Sequence, residues 1–134
     1  MGISFDKALG VHDQALKLRS NRAAVLANNL ANADTPGYKA KDIDFQSALK
    51  GEMQFKKTSS TMQLTHQRHI SVSSGIGGQY ETLYRTPQQP SIDGNTVEEQ
   101  IENAEFMKNS LAFQSSFTFL NSKFKGLTAA IKGE

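Results

Sequence analysis

The chain carries apolar residues in alternating steps of three and four at both of its ends and few between them. From Ser4 to Ala31 one row runs Phe5, Leu9, His12, Leu16, Arg19, Ala23, Leu26 and Leu30, and a second runs Val11, Ala15, Leu18, Arg22, Val25 and Asn29. From Val97 to Lys132 the row is Phe106, Ser110, Phe113, Phe117, Leu120, Phe124, Leu127 and Ile131, with Val97, Ile101, Ala104 and Leu111 alongside. At 1.5 Å per residue this spacing predicts helices of roughly 40 and 50 Å, far longer than an average globular helix. Of the 134 residues only 37% are apolar, and mean hydropathy is -0.48, so little else is available to build a core. The expected fold is mainly α: two long terminal helices forming an antiparallel coiled-coil hairpin, joined by an extended or looped middle with little β-structure. One face of each helix is expected to serve its partner and the other neighbouring subunits; an ordinary intramolecular core is the competing reading. Three segments follow, 1–33, 34–96 and 97–134.

The first helix has a chemically specified end. Asn28, Asn29 and Asn32 terminate helices well because their amides bond nearby backbone. Pro36 directs Thr35 towards extended backbone and Gly37 can take positive φ, so Thr35-Pro36-Gly37-Tyr38 reads as a turn. Beyond it, Ile43, Phe45 and Leu49 predict an extended stretch and then a short turn, with Lys39 and Lys41 placed near Glu98, Glu99 and Glu102. Residues 51–79 read as a loose hairpin or partly disordered loop, with period-two pieces at Met62–Leu64 and Ile70–Val72. Tyr80 to Pro90 reads as an extended linker anchored by its tyrosines. Asp93-Gly94-Asn95-Thr96 predicts a turn, and Thr96 with Glu99 matches a capping box. Arg19 and Arg22, sitting on the apolar rows, have two readings: solvated side chains with buried stems, or ion pairs between subunits.

Little in the chain points to chemistry. Fifteen basic and 13 acidic side chains give a net charge of +2, too balanced for nucleic acid. Cysteine is absent, which removes disulfides and thiolate metal sites. His66 and His69 lack a third ligand at metal spacing, and His12 stands alone on a helix row, so all three read as surface or packing residues. Asp42 and Asp44 alternate faces if extended and do not form an acid pair. No catalytic, cofactor or metal residue is assigned. No signal-peptide pattern is present, and no run approaches the roughly 20 apolar residues of a membrane span.

Ala27-Asn-Asn-Leu-Ala-Asn-Ala-Asp-Thr-Pro-Gly-Tyr38, following a helix from the N-terminus, resembles the signature of the axial proteins of the bacterial flagellum, the rod, hook and hook-associated subunits. Asp42-Ile43-Asp44-Phe45, Tyr84-Arg85 and Ser91-Ile-Asp-Gly-Asn-Thr-Val97 look closest to subunits of the proximal rod. The resemblance implies a structural, non-enzymatic subunit. It would assemble with copies of itself and other rod proteins into a hollow helical shaft that transmits torque around an export channel. Implied partners are the membrane-ring and hook-basal-body adaptor proteins and the flagellar export apparatus. The implied place is the basal body in the periplasm, reached without a cleaved signal. The motif residues are Asn28, Asn29, Leu30, Asn32, Thr35, Pro36, Gly37 and Tyr38. Packing or subunit contacts are expected of Phe5, Leu9, Leu16, Leu18, Val25, Leu26, Leu30, Phe106, Phe113, Phe117, Leu120, Phe124, Leu127 and Ile131. Before assembly the terminal helices are expected to be largely unfolded. A soluble helical adaptor is the alternative, accounting for the helices but not the corner.

Overall fold

The computed structural model describes residues 9–58 and 80–133. In chain order the elements are α1 (His12–Ala31), β1 (Lys41–Ile43), α2 (Phe45–Thr58), β2 (Thr82–Tyr84) and α3 (Glu99–Lys132). Phe5, His66, His69 and the period-two pieces at Met62–Leu64 and Ile70–Val72 lie outside the described residues.

The mainly helical reading holds, and α1 ends where its asparagines place the end. The Asn32 N–H returns to the Asn29 carbonyl and the Ala33 N–H to the Leu30 carbonyl, and the Asn32 amide donates to the Asn28 carbonyl at 2.8 Å. Gly37 then takes φ +72°, a conformation that favours glycine.

Three expectations need correction. The stretch from Phe45, read as extended and then as a turn running into a loop, is the helix α2. Asp44 supplies its cap, accepting from the Gln46 N–H at 3.0 Å and the Ser47 hydroxyl at 2.7 Å. The linker at Tyr80–Pro90 contains β2, which pairs antiparallel with β1 in the register Lys41 to Tyr84, Asp42 to Leu83 and Ile43 to Thr82. A strand this short carries too few residues to show alternation. The capping box at Thr96 and Glu99 does not form. α3 begins at Glu99 with no side-chain cap, because the Thr96 hydroxyl accepts instead from the Ala40 N–H at 2.8 Å. Glu98 likewise turns back, to the Gln88 N–H at 3.1 Å.

α1 packs along α3, and its partners descend in number as α1 is followed upwards. His12 lies against Phe119 with ring centroids 5.9 Å apart. The Arg19 carbonyl accepts from Asn109 at 2.9 Å, Arg22 meets Glu105 at 3.0 Å and Asn29 meets Glu102 at 3.0 Å. Among the described residues, the buried apolar side chains are Ala15, Leu18, Leu26, Ala40 and Ile43, while the buried residues of α3 are Glu102 and Asn109, both polar. The α3 line facing α1 therefore runs Glu102, Glu105, Asn109, Ala112, Ser116 and Phe119, at helical spacing. Phe106, Phe113, Phe117 and Phe124 lie beside that line, between 37% and 57% exposed. Among the described residues no helix is long and apolar enough to cross a membrane.

Candidate functional site

Two polar constructions hold the corner against the helices. The first docks the Thr35–Tyr38 turn on the segment leading into α3. The buried Asn95 donates its amide to three carbonyls at the end of α1, those of Asn32 at 3.0 Å, Ala33 at 2.6 Å and Thr35 at 3.0 Å. Its own oxygen accepts from the Val97 N–H at 2.8 Å. Backbone bonds run alongside, from the Gly37 N–H to the Asp93 carbonyl at 2.9 Å and from the Thr96 N–H to the Tyr38 carbonyl at 3.0 Å. Gly94, at φ +74°, would place a Cβ 3.8 Å from the Gly37 Cα, so the two turns meet backbone to backbone.

The second is a charge cluster at the junction of α1, the two strands and α3. Arg22 forks onto Asp42 through Nε and Nη2, both at 2.8 Å, and reaches Glu105 at 3.0 Å. Arg85 donates to Asp42 and, at 2.6 Å, to Glu102, whose side chain is 1% exposed. Asn29 is fully enclosed and fully used: its amide donates to Glu102 and to the Lys41 carbonyl at 2.7 Å, and its oxygen accepts from the Lys41 N–H at 3.1 Å and the Tyr38 hydroxyl at 3.4 Å. Planar guanidinium forks suit such shared carboxylates better than lysine would. That explains a further correction: Lys39 bonds the Gly94 carbonyl at 2.7 Å and Lys41 lies 5.6 Å from the Tyr84 ring, while Glu102 is served by Arg85. Arg19 stacks 4.1 Å over the Phe45 ring. Burial, and then the nearby Arg22, lowers its pKa.

Burial opposes ionisation of Asp42, but hydrogen bonds from Arg22 and Arg85 outweigh it and hold its carboxyl below the ordinary 3.8. Lys108, and with it Arg22, holds Glu105 below 4.5. Carboxyls lowered in this way contribute their full stabilisation above the ordinary values, and that contribution is lost as pH falls through the folded-state values. Unfolding midpoints should therefore be flat from neutrality to about pH 5 and fall below about pH 4. Helical circular dichroism in fixed denaturant checks this, and Asp42→Asn should flatten the acid limb. An unchanged limb in that variant would remove Asp42 from the account.

The sequence names Asn29 as a motif residue, and gives Asp42 a place in the resemblance and a rejected catalytic reading but no structural role. It gives Arg85 no role beyond the resemblance and misses the burial of Asn95, Glu102 and Asn109. Of the expected packing residues, Leu18 and Leu26 are buried; Leu9, Leu16, Val25, Leu30, Leu120 and Leu127 are half-buried; Ile131 is exposed. Thr35, Pro36 and Gly37 are exposed at the corner, and Tyr38 is half-buried. A separate cavity of about 310 Å³ between α2 and the approach to β2 is lined by Asp44, Ser47, Glu52, Tyr80, Glu81 and Leu83 among others. Among the described residues no group of three His, Cys, Asp or Glu is placed to hold a metal ion.

The α1 side of the cluster and the Thr35–Tyr38 turn lie within a recognised pattern. Residues 9–39 match the family described as flagella basal body rod protein. The flagellar basal body rod protein FlgB of Aeromonas hydrophila is 50% identical over 135 residues, covering 100% of this chain and 99% of that protein. FlgB of Escherichia coli K12 is 44% identical, covering 91% of each chain, and that of Salmonella typhimurium is 43% identical, covering 96% of this chain and 95% of its own. With nearly end-to-end coverage at these identities, the chain belongs to the FlgB family of flagellar basal body rod proteins.

Proposed function

We propose that the chain is a structural subunit of the proximal rod and that it performs no chemistry. In this reading segments 1–33 and 97–134 form an antiparallel coiled-coil hairpin, and 34–96 is a corner and brace. Copies of the chain and other rod subunits pack around a common axis into a hollow shaft that carries torque around an export channel. Membrane-ring and hook-basal-body adaptor proteins and the export apparatus are its further partners, and the periplasmic part of the basal body is its place. A head-to-tail contact that does not close on itself gives such a helical assembly.

The observation that carries the reading is the division of α3 into two lines. The line towards α1 is mostly polar or small and is bonded to α1 through Glu102, Glu105 and Asn109, while Phe106, Phe113, Phe117 and Phe124 lie exposed beside it. A continuous aromatic strip on a polar chain marks a surface that is covered in use. Since each phenylalanine is already about half buried, covering the rest contributes roughly 0.5–1.5 kcal/mol apiece.

The Phe113→Asp/Phe117→Asp variant should leave the Asn29, Arg85 and Asn95 contacts untouched yet fail to enter basal bodies, and cells carrying it should not swim. Purified basal bodies probed for the subunit give the answer. Normal incorporation would overturn the proposal, and a small soluble oligomer of fixed size in place of incorporation would favour a helical adaptor.

A further inference from the structure

We infer that Arg22, Asn29, Glu102 and Asn109 form a register key that selects one axial alignment of α1 against α3; the inference rests on the helix-pair reading above. Arg22 and Asn29 stand one heptad apart on α1, and Glu102 and Asn109 stand one heptad apart on α3. The seam between them is otherwise permissive. On α1 it offers Ala15, Leu18 and Leu26, and on α3 it offers Ala112 and Ser116, while the Phe119 ring beside His12 is itself more than half exposed, so apolar interlocking does little to fix the alignment. Sliding such helices by one heptad restores the same three-four phase and nearly the same apolar contacts.

The polar residues break that degeneracy. In the observed alignment Asn29 faces Glu102, while Asn109 holds the Arg19 carbonyl one turn from Arg22. Moving α3 one heptad in one direction sets Asn29 opposite Asn109 and carries Glu102 past the end of α1. Moving it the other way sets Arg22 opposite Glu102 but leaves Asn29 without its carboxylate and puts Asn109 opposite Ala15. Arg85 cannot follow in either case. It is tied through Asp42 to β1, and β1 is tied to α1 by the two bonds between Asn29 and Lys41. Only the observed alignment gives Asn29 its carboxylate and Asn109 its carbonyl together, and fixing register is the best-attested use of polar residues in helix seams. The alignment also fixes how far α3 overhangs α1, and hence where the phenylalanine strip sits relative to the corner.

The absence of native cysteine allows a direct test by thiol cross-linking of the full chain. His12→Cys/Phe119→Cys reports the observed alignment, and His12→Cys with Ala112→Cys or Gly126→Cys reports the two shifted ones. The parent should favour the first pair by about ten-fold or more, and adding Asn29→Leu, Glu102→Leu and Asn109→Leu should cut that preference below about three-fold. Circular dichroism confirms that the variant is helical. Should it unfold, Arg85→Gln/Glu102→Gln, which keeps the shape of the Glu102 side chain and removes both charges, decides the matter in the same assay. Undiminished preference in a helical leucine variant, or in the glutamine variant, overturns the key. Failure of the first pair to cross-link in the parent overturns the helix-pair reading, and the key with it.

Discussion

Arg85→Ala should destabilise the chain by about 3–5 kcal/mol, the usual cost of removing one partner from a buried ion pair, and a second change, Glu102→Gln, should return much of that loss. The Glu102 side chain is 1% exposed and its charge is met by Arg85, with Asn29 contributing a neutral donor. Without Arg85 the carboxylate stays enclosed with a single amide for company. Glutamine in its place still accepts from Asn29 but no longer brings a charge to be solvated. The pair therefore belongs in a double-mutant cycle, and the two single losses should exceed the double loss by more than about 1 kcal/mol. Denaturant titrations followed at 222 nm, run in a stabilising osmolyte so that weak variants remain measurable, give the four free energies. Strict additivity would show that Arg85 acts only through Asp42.

Asn95→Ala should be the next most damaging change, at about 2–3 kcal/mol for carbonyls left without their donor. One amide serves three carbonyls at the end of α1 and its oxygen holds the Val97 N–H. No neighbour is placed to take over, because Thr96 is engaged by Ala40 and the Gly37 N–H by Asp93. Hydrogen exchange separates this effect from general loosening. The amides of Gly37, Ala40 and Thr96 should lose protection first, while those of Leu18 and Leu26 lose less. Uniform loss across both sets would mean that the corner and the helix pair open together and that Asn95 has no local role.

These two residues also mark the limit of what was legible in the sequence. The helices and the corner were readable because each rests on local rules: three-four spacing, asparagine at a helix end, Pro-Gly in a turn. α2 was misread because Gly51 and the polar residues after Leu49 outweighed Asp44, whose capping role depends on one side chain and its two following amides. β2 was missed because a three-residue strand has no pattern of its own; it exists because Arg85 and the β1 backbone hold it in register. The capping box failed because the Thr96 hydroxyl had a better use across the corner. Arg85, Asn95 and Asn109 belong to pairings far apart along the chain, and periodicity says nothing about those. One clue was present: Arg22 and Asn29 sit on apolar rows, and polar residues in such places are normally paired.

The Asn29 side chain has one more effect. The Lys41 peptide groups point away from β2, since the Arg85 N–H bonds the neighbouring Ala40 carbonyl. Asn29 occupies both of them, imitating a neighbouring strand with a single amide. An unguarded strand margin invites another chain to zip on, which leads towards amyloid-like stacking. A subunit of a flagellar rod thus has the β1 margin stitched shut from within by one side chain of its own first helix.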